Sequence, residues 1–131
     1  MSPSPRLGYV ILYVPAVEPA LAFYEAAFGL TRRFLHESGT YGELETGATT
    51  LAFADETFTP SAGSFALNRP GAPAAGAEVG LVVDDVPEAY ARALTAGATP
   101  VLPATSKPWG QVVAYVRDLD GFLVELCTAM G

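Results

Sequence analysis

Apolar positions along the chain follow two rhythms in turn, and the pair of rhythms occurs twice. From Tyr9 to Val14 the sequence reads Tyr-Val-Ile-Leu-Tyr-Val, a β-branched and aromatic run ended by Pro15, which predicts a buried strand over about 8–14. Val17, Leu21, Tyr24 and Phe28 then recur at helical spacing, with Glu18-Pro19 in the first turn and Gly29 past the last, predicting a helix over 17–28. Three shorter extended segments, about 31–36, 41–46 and 49–54, are separated by the turn residues Ser38-Gly39 and Gly47. The order is βαβββ.

Residues 55–76 are rich in Pro, Gly, Ala and Ser and lack periodicity despite Phe58, Phe65 and Leu67, so they read as a connection packed over the surface. The first order then returns: a strand at about 77–83, a helix over 86–96, and strands near 99–102, 111–117 and 122–127. An offset of 69 positions aligns Val10/Val79, Leu12/Leu81, Val14/Val83, Val17/Val86, Ala20/Ala89 and Ala22/Ala91 as identical pairs. Two repeated halves, about 7–54 and 77–128, within one domain spanning 1–131 are the economical account, and the fold class is α+β.

A chain of 131 residues, half of them apolar, can bury one sizeable core but not two ordinary domains. No apolar run reaches the roughly 18 to 20 residues of a membrane span. The opening Met1-Ser2-Pro3-Ser4-Pro5-Arg6 does not read as a signal peptide, so a cytoplasmic protein is expected. The single cysteine, Cys127, excludes an intramolecular disulfide and a Cys-rich zinc cluster, and in its apolar strand it reads as core. A net charge of −7 repels phosphate backbones, and Arg32-Arg33 is the largest basic cluster, so nucleic acid is not an expected partner.

Two blocks carry a family resemblance. The first is Tyr9-Val-Ile-Leu-Tyr-Val-Pro-Ala-Val17 with Ala22-Phe23-Tyr24 and Phe28-Gly29-Leu30. The second is Pro108-Trp109-Gly110 with Tyr115-Val-Arg-Asp-Leu-Asp-Gly121 and Phe122-Leu-Val-Glu125-Leu126. Together they resemble the opening strand and helix and the closing hairpin of the glyoxalase/bleomycin-resistance/extradiol-dioxygenase superfamily, the vicinal oxygen chelate proteins. The resemblance implies two βαβββ modules whose curved mixed sheet encloses a cleft, and a homodimer whose subunits cover each other's sheet edges.

In metal-dependent relatives, the first strand residue and a last-strand residue of each half converge on a divalent ion. Carried over by position, these are Tyr9, Glu78, Glu125 and a site near Leu51. Only the two glutamates are good ligands, and the sole histidine, His36, falls off this constellation. A catalytic Fe, Ni or Zn ion normally wants three protein ligands that include imidazole, so no metal is expected beyond weak divalent binding at Glu78/Glu125.

The same resemblance turns Tyr9, Ile11 and Tyr13 toward the cleft and leaves Val10, Leu12 and Val14 to the helix. Tyr9, Tyr13, Phe53, Glu78, Trp109, Tyr115 and Glu125 form the expected ligand-binding set, with Glu78 and Glu125 as candidate catalytic groups. Each has a structural alternative: the tyrosines as sheet aromatics, Trp109 as a loop anchor, Glu125 as half of an ion pair. Asp84-Asp85 and Asp118/Asp120 read as cap and turn residues. Aromatic walls with one or two carboxylates suit a flat, partly cationic ligand in a metal-free pocket. The alternatives are a glyoxalase-type lyase or isomerase that moves a proton on a pocket glutamate, and a metal-dependent lyase or dioxygenase with atypical ligands.

Overall fold

The structure is a computed structural model that describes residues 3–130; Met1 and Ser2 of the opening segment, and Gly131, lie outside the described residues. Its first half runs β1 (Tyr9–Val14), α1 (Val17–Phe28), β2 (Thr31–Leu35), β3 (Tyr41–Glu45) and β4 (Thr50–Asp55). The second half runs β5 (Glu78–Val82), α2 (Val86–Thr95), β6 (Thr99–Ser106), β7 (Val112–Arg117) and β8 (Leu123–Cys127). Each half is a four-stranded mixed sheet of the same topology, ordered β1-β4-β3-β2 and β5-β8-β7-β6. The first and last strands of each half pair in parallel, so α1 and α2 are crossovers that return the chain to its own sheet.

The helix boundaries follow from local chemistry. Gly29 takes the left-handed conformation that closes α1, its N–H donating to the Glu25 carbonyl at 3.1 Å. At the start of α2 the Asp85 carboxylate accepts from the Glu88 N–H at 3.1 Å. Arg92 of α2 lies over the end of α1 and donates from Nε to the Ala26 carbonyl at 3.0 Å, satisfying an orphan acceptor and joining the halves. α1 buries Val17, Ala20, Leu21 and Tyr24 against β4, where Phe53 and Leu51 lie; α2 buries Val86 and Ala93 toward the Val116, Val124 and Leu126 side of its own sheet.

Strand parity holds in the second half of β1, where Val14 is fully buried and Leu12 packs on the core, but not at its start: Val10, expected against the helix, is as exposed as Ile11 and borders the cleft between the halves. Pairing corrects the reading of Phe53. That ring pairs in register with Leu12, is fully buried, and stands edge-on to Tyr24 at 5.0 Å, so it belongs to the helix side of the sheet and cannot touch a ligand. β6 is also longer than the expected 99–102, because an outer strand tolerates Pro100 and Pro103 where a central one would lose ladder hydrogen bonds.

The connection has no regular structure but is tightly held. Phe65 stacks on Tyr13 with ring centroids 4.3 Å apart, and the buried Asn68 amide donates to the Asp120 carbonyl at 2.9 Å. Arg117 donates to the carbonyls of Arg69, Pro70 and Ala72 at 2.7–3.0 Å, strapping the connection to the β7–β8 turn. No helix among the described residues is long and apolar enough to cross a membrane.

Candidate functional site

Register assembles the second-half site. Gly80, Glu125 and Tyr115 stand side by side on β5, β8 and β7, so their substituents leave the same face of the sheet, away from α2. The Tyr115 hydroxyl donates to Glu125 Oε1 at 2.9 Å. Glu78, two residues before Gly80, shares that face. Its side chain is exposed, yet loss of hydration against the sheet and the neighbouring Glu125 carboxylate raise its carboxyl above the ordinary range.

Tyr115 is pushed up to about 12, first by donating to Glu125 and then by burial, so it remains a donor at every physiological pH. Cys127, next but one along β8, is raised by burial and by the Glu125 carboxylate. It is therefore a neutral thiol rather than a nucleophile, as its apolar strand suggested. Neither Glu78 nor Glu125 is ion-paired with a basic side chain among the described residues. The ion-pair alternative for Glu125 is thus not realised within the chain.

The first half carries a counterpart that sequence reading missed. Tyr41, Glu43 and Glu45 alternate on one face of β3, and the Tyr41 hydroxyl donates to the buried Glu43 carboxylate at 2.7 Å. Arg33 approaches Glu43 to 3.7 Å. The residue matching Glu125 here is Ala52, since Ala52 pairs with Ile11 as Glu125 pairs with Gly80. Leu51, named by position, instead faces the helix side with Val10 and is buried. The signal for Glu43 was available in the Tyr-Gly-Glu-Leu-Glu alternation, which places Tyr41, Glu43 and Glu45 on one face.

Tyr9 belongs with this first group: its phenol is close enough to Tyr41 to raise that residue, although burial and Glu43 matter more. Within one chain Tyr9 and Glu78 therefore join different groups, one around Tyr41 and Glu43 and the other around Glu125 and Tyr115. Tyr13 is engaged by the connection, its hydroxyl accepting from Ser61 at 2.8 Å and its ring covered by Phe65. It still borders a small cavity of about 260 Å³ with Ile11, Tyr41 and Phe58. Trp109 sits exposed in the β6–β7 loop, its indole N–H donating to Gln111 at 3.0 Å. His36 is exposed and hydrogen-bonded locally to Ser38.

The residues present do not fit a catalytic transition metal. Among the described residues no three His, Cys, Asp or Glu side chains gather in metal-binding geometry, and the four family positions hold a phenol, two carboxylates and an alanine.

A larger cleft of about 470 Å³ opens between the halves, lined by Val10, Phe28, Leu30, Leu51 and the length of β5. The strands that border it, β1 and β5, each pair on one side only, and Tyr9, Ile11 and Val82 are left exposed along them.

Residues 6–126 match the family model for the Glyoxalase/Bleomycin resistance protein/Dioxygenase superfamily, and the chain belongs to that superfamily. Among solved structures it is similar to TioX from Micromonospora sp. ML1, at 26% identity and a TM-score of 0.72, with 95% of this chain and 98% of that one covered. A glyoxalase/bleomycin resistance protein/dioxygenase family enzyme from Burkholderia phytofirmans PsJN shares the fold at a TM-score of 0.80 and 19% identity, covering 96% and 100%. A lactoylglutathione lyase from Agrobacterium tumefaciens does so at 0.71 and 24%, covering 97% and 96%. No curated protein matches the sequence.

Proposed function

We propose that this protein binds a small, flat, partly cationic aromatic molecule in a metal-independent pocket built around Glu125. The observation that carries the reading is the Tyr115–Glu125 hydrogen bond at 2.9 Å, with Glu78 alongside and, among the described residues, no basic side chain paired with either carboxylate. Two carboxyl groups sharing a partly desolvated face hold a proton or a cation at lower cost than two bare charges. A ligand cation is then favoured over water, and aromatic groups beside it supply apolar contact.

The pocket is completed by a second copy. Free strand edges bordered by exposed apolar side chains invite pairing. A two-fold dimer that sets β1 beside the partner's β5 covers both edges twice with one self-complementary contact. That pairing brings the Tyr9, Tyr41 and Glu43 face of one subunit opposite the Glu78, Tyr115 and Glu125 face of its partner. It also fills the apolar cleft between the halves with protein. We assign the protein to the cytoplasm on its family and its absence of disulfides.

Proton transfer is the second reading, favoured by the Glu78 carboxyl, raised beside the Glu125 carboxylate. Such a pair can hold one proton between two oxygens and exchange it with a substrate, as a lyase or isomerase requires. Metal analysis of protein purified without chelator, followed by calorimetric titration with flat aromatic cations and light scattering, tests the proposal. The expected result is metal-free dimer that binds such cations. A stoichiometric transition metal, or a concentration-independent monomer mass, would overturn it.

A further inference from the structure

Two glycines lie inside strands, Gly42 and Gly80, and only one has a packing reason. A Cβ on Gly42 would meet Leu21 Cδ1 at 2.6 Å, so the α1 crossover demands a bare backbone there. A Cβ on Gly80 would meet nothing within 4 Å, and Gly80 is not among the glycines with positive φ. Neither sterics nor backbone conformation requires it. A glycine in a strand interior weakens the strand, and where it has no local reason it marks close approach by something else. The repeat sharpens the point, because the equivalent position in the first half is Ile11.

Its surroundings indicate what approaches. Gly80 stands in register with Glu125 and so beside the Tyr115–Glu125 hydrogen bond, with Glu78 and Val82 before and after it on the same face. The missing side chain leaves the β5 backbone bare at this point, with open space where a Cβ would stand and Glu125 in register on the neighbouring strand. We propose that Gly80 is a specificity-determining residue whose bare backbone admits the flat face of an aromatic ring, so that a cationic nitrogen on that ring reaches Glu125. This rests on the reading of the pocket given above. An aliphatic side chain, as at Ile11, would occupy the ring's place and leave only narrow, unstacked cations able to reach the carboxylate.

The test uses Gly80→Ala and Gly80→Ile in the full chain, with proflavine, a flat aromatic cation, as the probe. Fluorescence titration should show affinity reduced severalfold by Ala and tenfold or more by Ile, with thermal stability equal to or above that of the parent and sedimentation unchanged. Without any ligand, carbon NMR of Glu78 should show its titration midpoint moving further up in Gly80→Ile, because the new side chain displaces water beside it. Undiminished proflavine affinity in both variants overturns the inference while leaving the pocket reading intact. Loss of the dimer in Gly80→Ile overturns it too, by assigning the glycine to subunit contact. A parent that binds no flat cation sinks the pocket reading and the ligand class together, and an unmoved Glu78 midpoint then rules out the opening at Gly80. Should Ile prevent folding, Ala decides the same questions.

Discussion

The phenol of Tyr24 donates to Asp118 at 2.6 Å, joining the first half's helix to the second half's closing hairpin across 94 residues of sequence. Both groups are buried, and the other Asp118 oxygen accepts from the Asp120 and Phe122 N–H groups at 2.9 Å each. Burial raises Asp118 despite these bonds and, with the nearby carboxylate, raises Tyr24 well above the ordinary phenol range. Tyr24→Phe keeps the ring and strands one oxygen of a buried carboxylate. It is expected to cost about 2–3 kcal/mol, the range for a hydrogen bond to a charged buried group. Chemical denaturation should show the midpoint falling with an unchanged slope; no change would mean the hairpin is held by the strap alone.

Asp120 gives the fold a pH dependence of defined sign. Burial first, then the Asp118 charge, raises its carboxyl to about 6 against the opposing pull of Arg69, with Glu56 also near. An acid raised on folding is stabilised in its protonated form. Its contribution is therefore complete below the unfolded value and lost as pH climbs through about 6. Asp120→Asn should flatten the stability profile between roughly pH 4 and 6 and add about 1 kcal/mol at neutral pH, after allowance for solvent screening. A variant with the parent's profile would place that titration elsewhere.

Glu125→Gln separates a functional carboxylate from a structural one. The amide still accepts from Tyr115 and relieves Glu78 of a neighbouring charge, so stability should hold within about 1 kcal/mol. Affinity for cationic probes should fall at least tenfold. A large drop in unfolding midpoint with unchanged probe affinity would make Glu125 a structural residue.

Tyr9→His with Glu78→His reads out the subunit arrangement. Beside Glu125 these would make a two-imidazole, one-carboxylate set that favours first-row metals, but within a single chain Tyr9 belongs to the Tyr41 group. Ni²⁺ should therefore raise the melting temperature of the dimeric double variant, through mass action on the native state, and not that of a dissociated one. A folded dimer with no metal-dependent rise would show that the two faces do not meet across the interface.

Much of this architecture is legible in the sequence because the decisive patterns are local. The Tyr9–Val14 run and the Val17–Phe28 spacing each need a dozen residues at most, and the offset of 69 between halves needs only two such windows compared. Phe53 was misread because β4 is apolar on both faces: Thr-Leu-Ala-Phe-Ala offers no polar alternation, and only pairing with Leu12 orients the ring. Asp118 reads as a turn residue and is one, yet its burial under Tyr24 depends on a contact between distant segments that no window reveals. Tyr41 and Glu43 show their shared face in sequence, but not that their strand runs beside β4, opposite the position of a missing carboxylate.

The parallel pairing of β1 with β4 and of β5 with β8 also sets an order of assembly. Neither sheet can close until its own last strand has been made, yet the first needs nothing from beyond Asp55. During synthesis the first half can thus collapse while the second is still inside the ribosome. Its free β1 edge and exposed Tyr9 and Ile11 are then open to neighbouring nascent chains. The strap from Asn68 to Ala72 gains its anchors only when Arg117 and the 118–121 turn emerge, so the closing hairpin adds the last ties between halves that Arg92 already links through the helices. Ribosome-stalled chains ending near residue 110 should accordingly protect β1–β4 from proteolysis while leaving the connection open to cleavage.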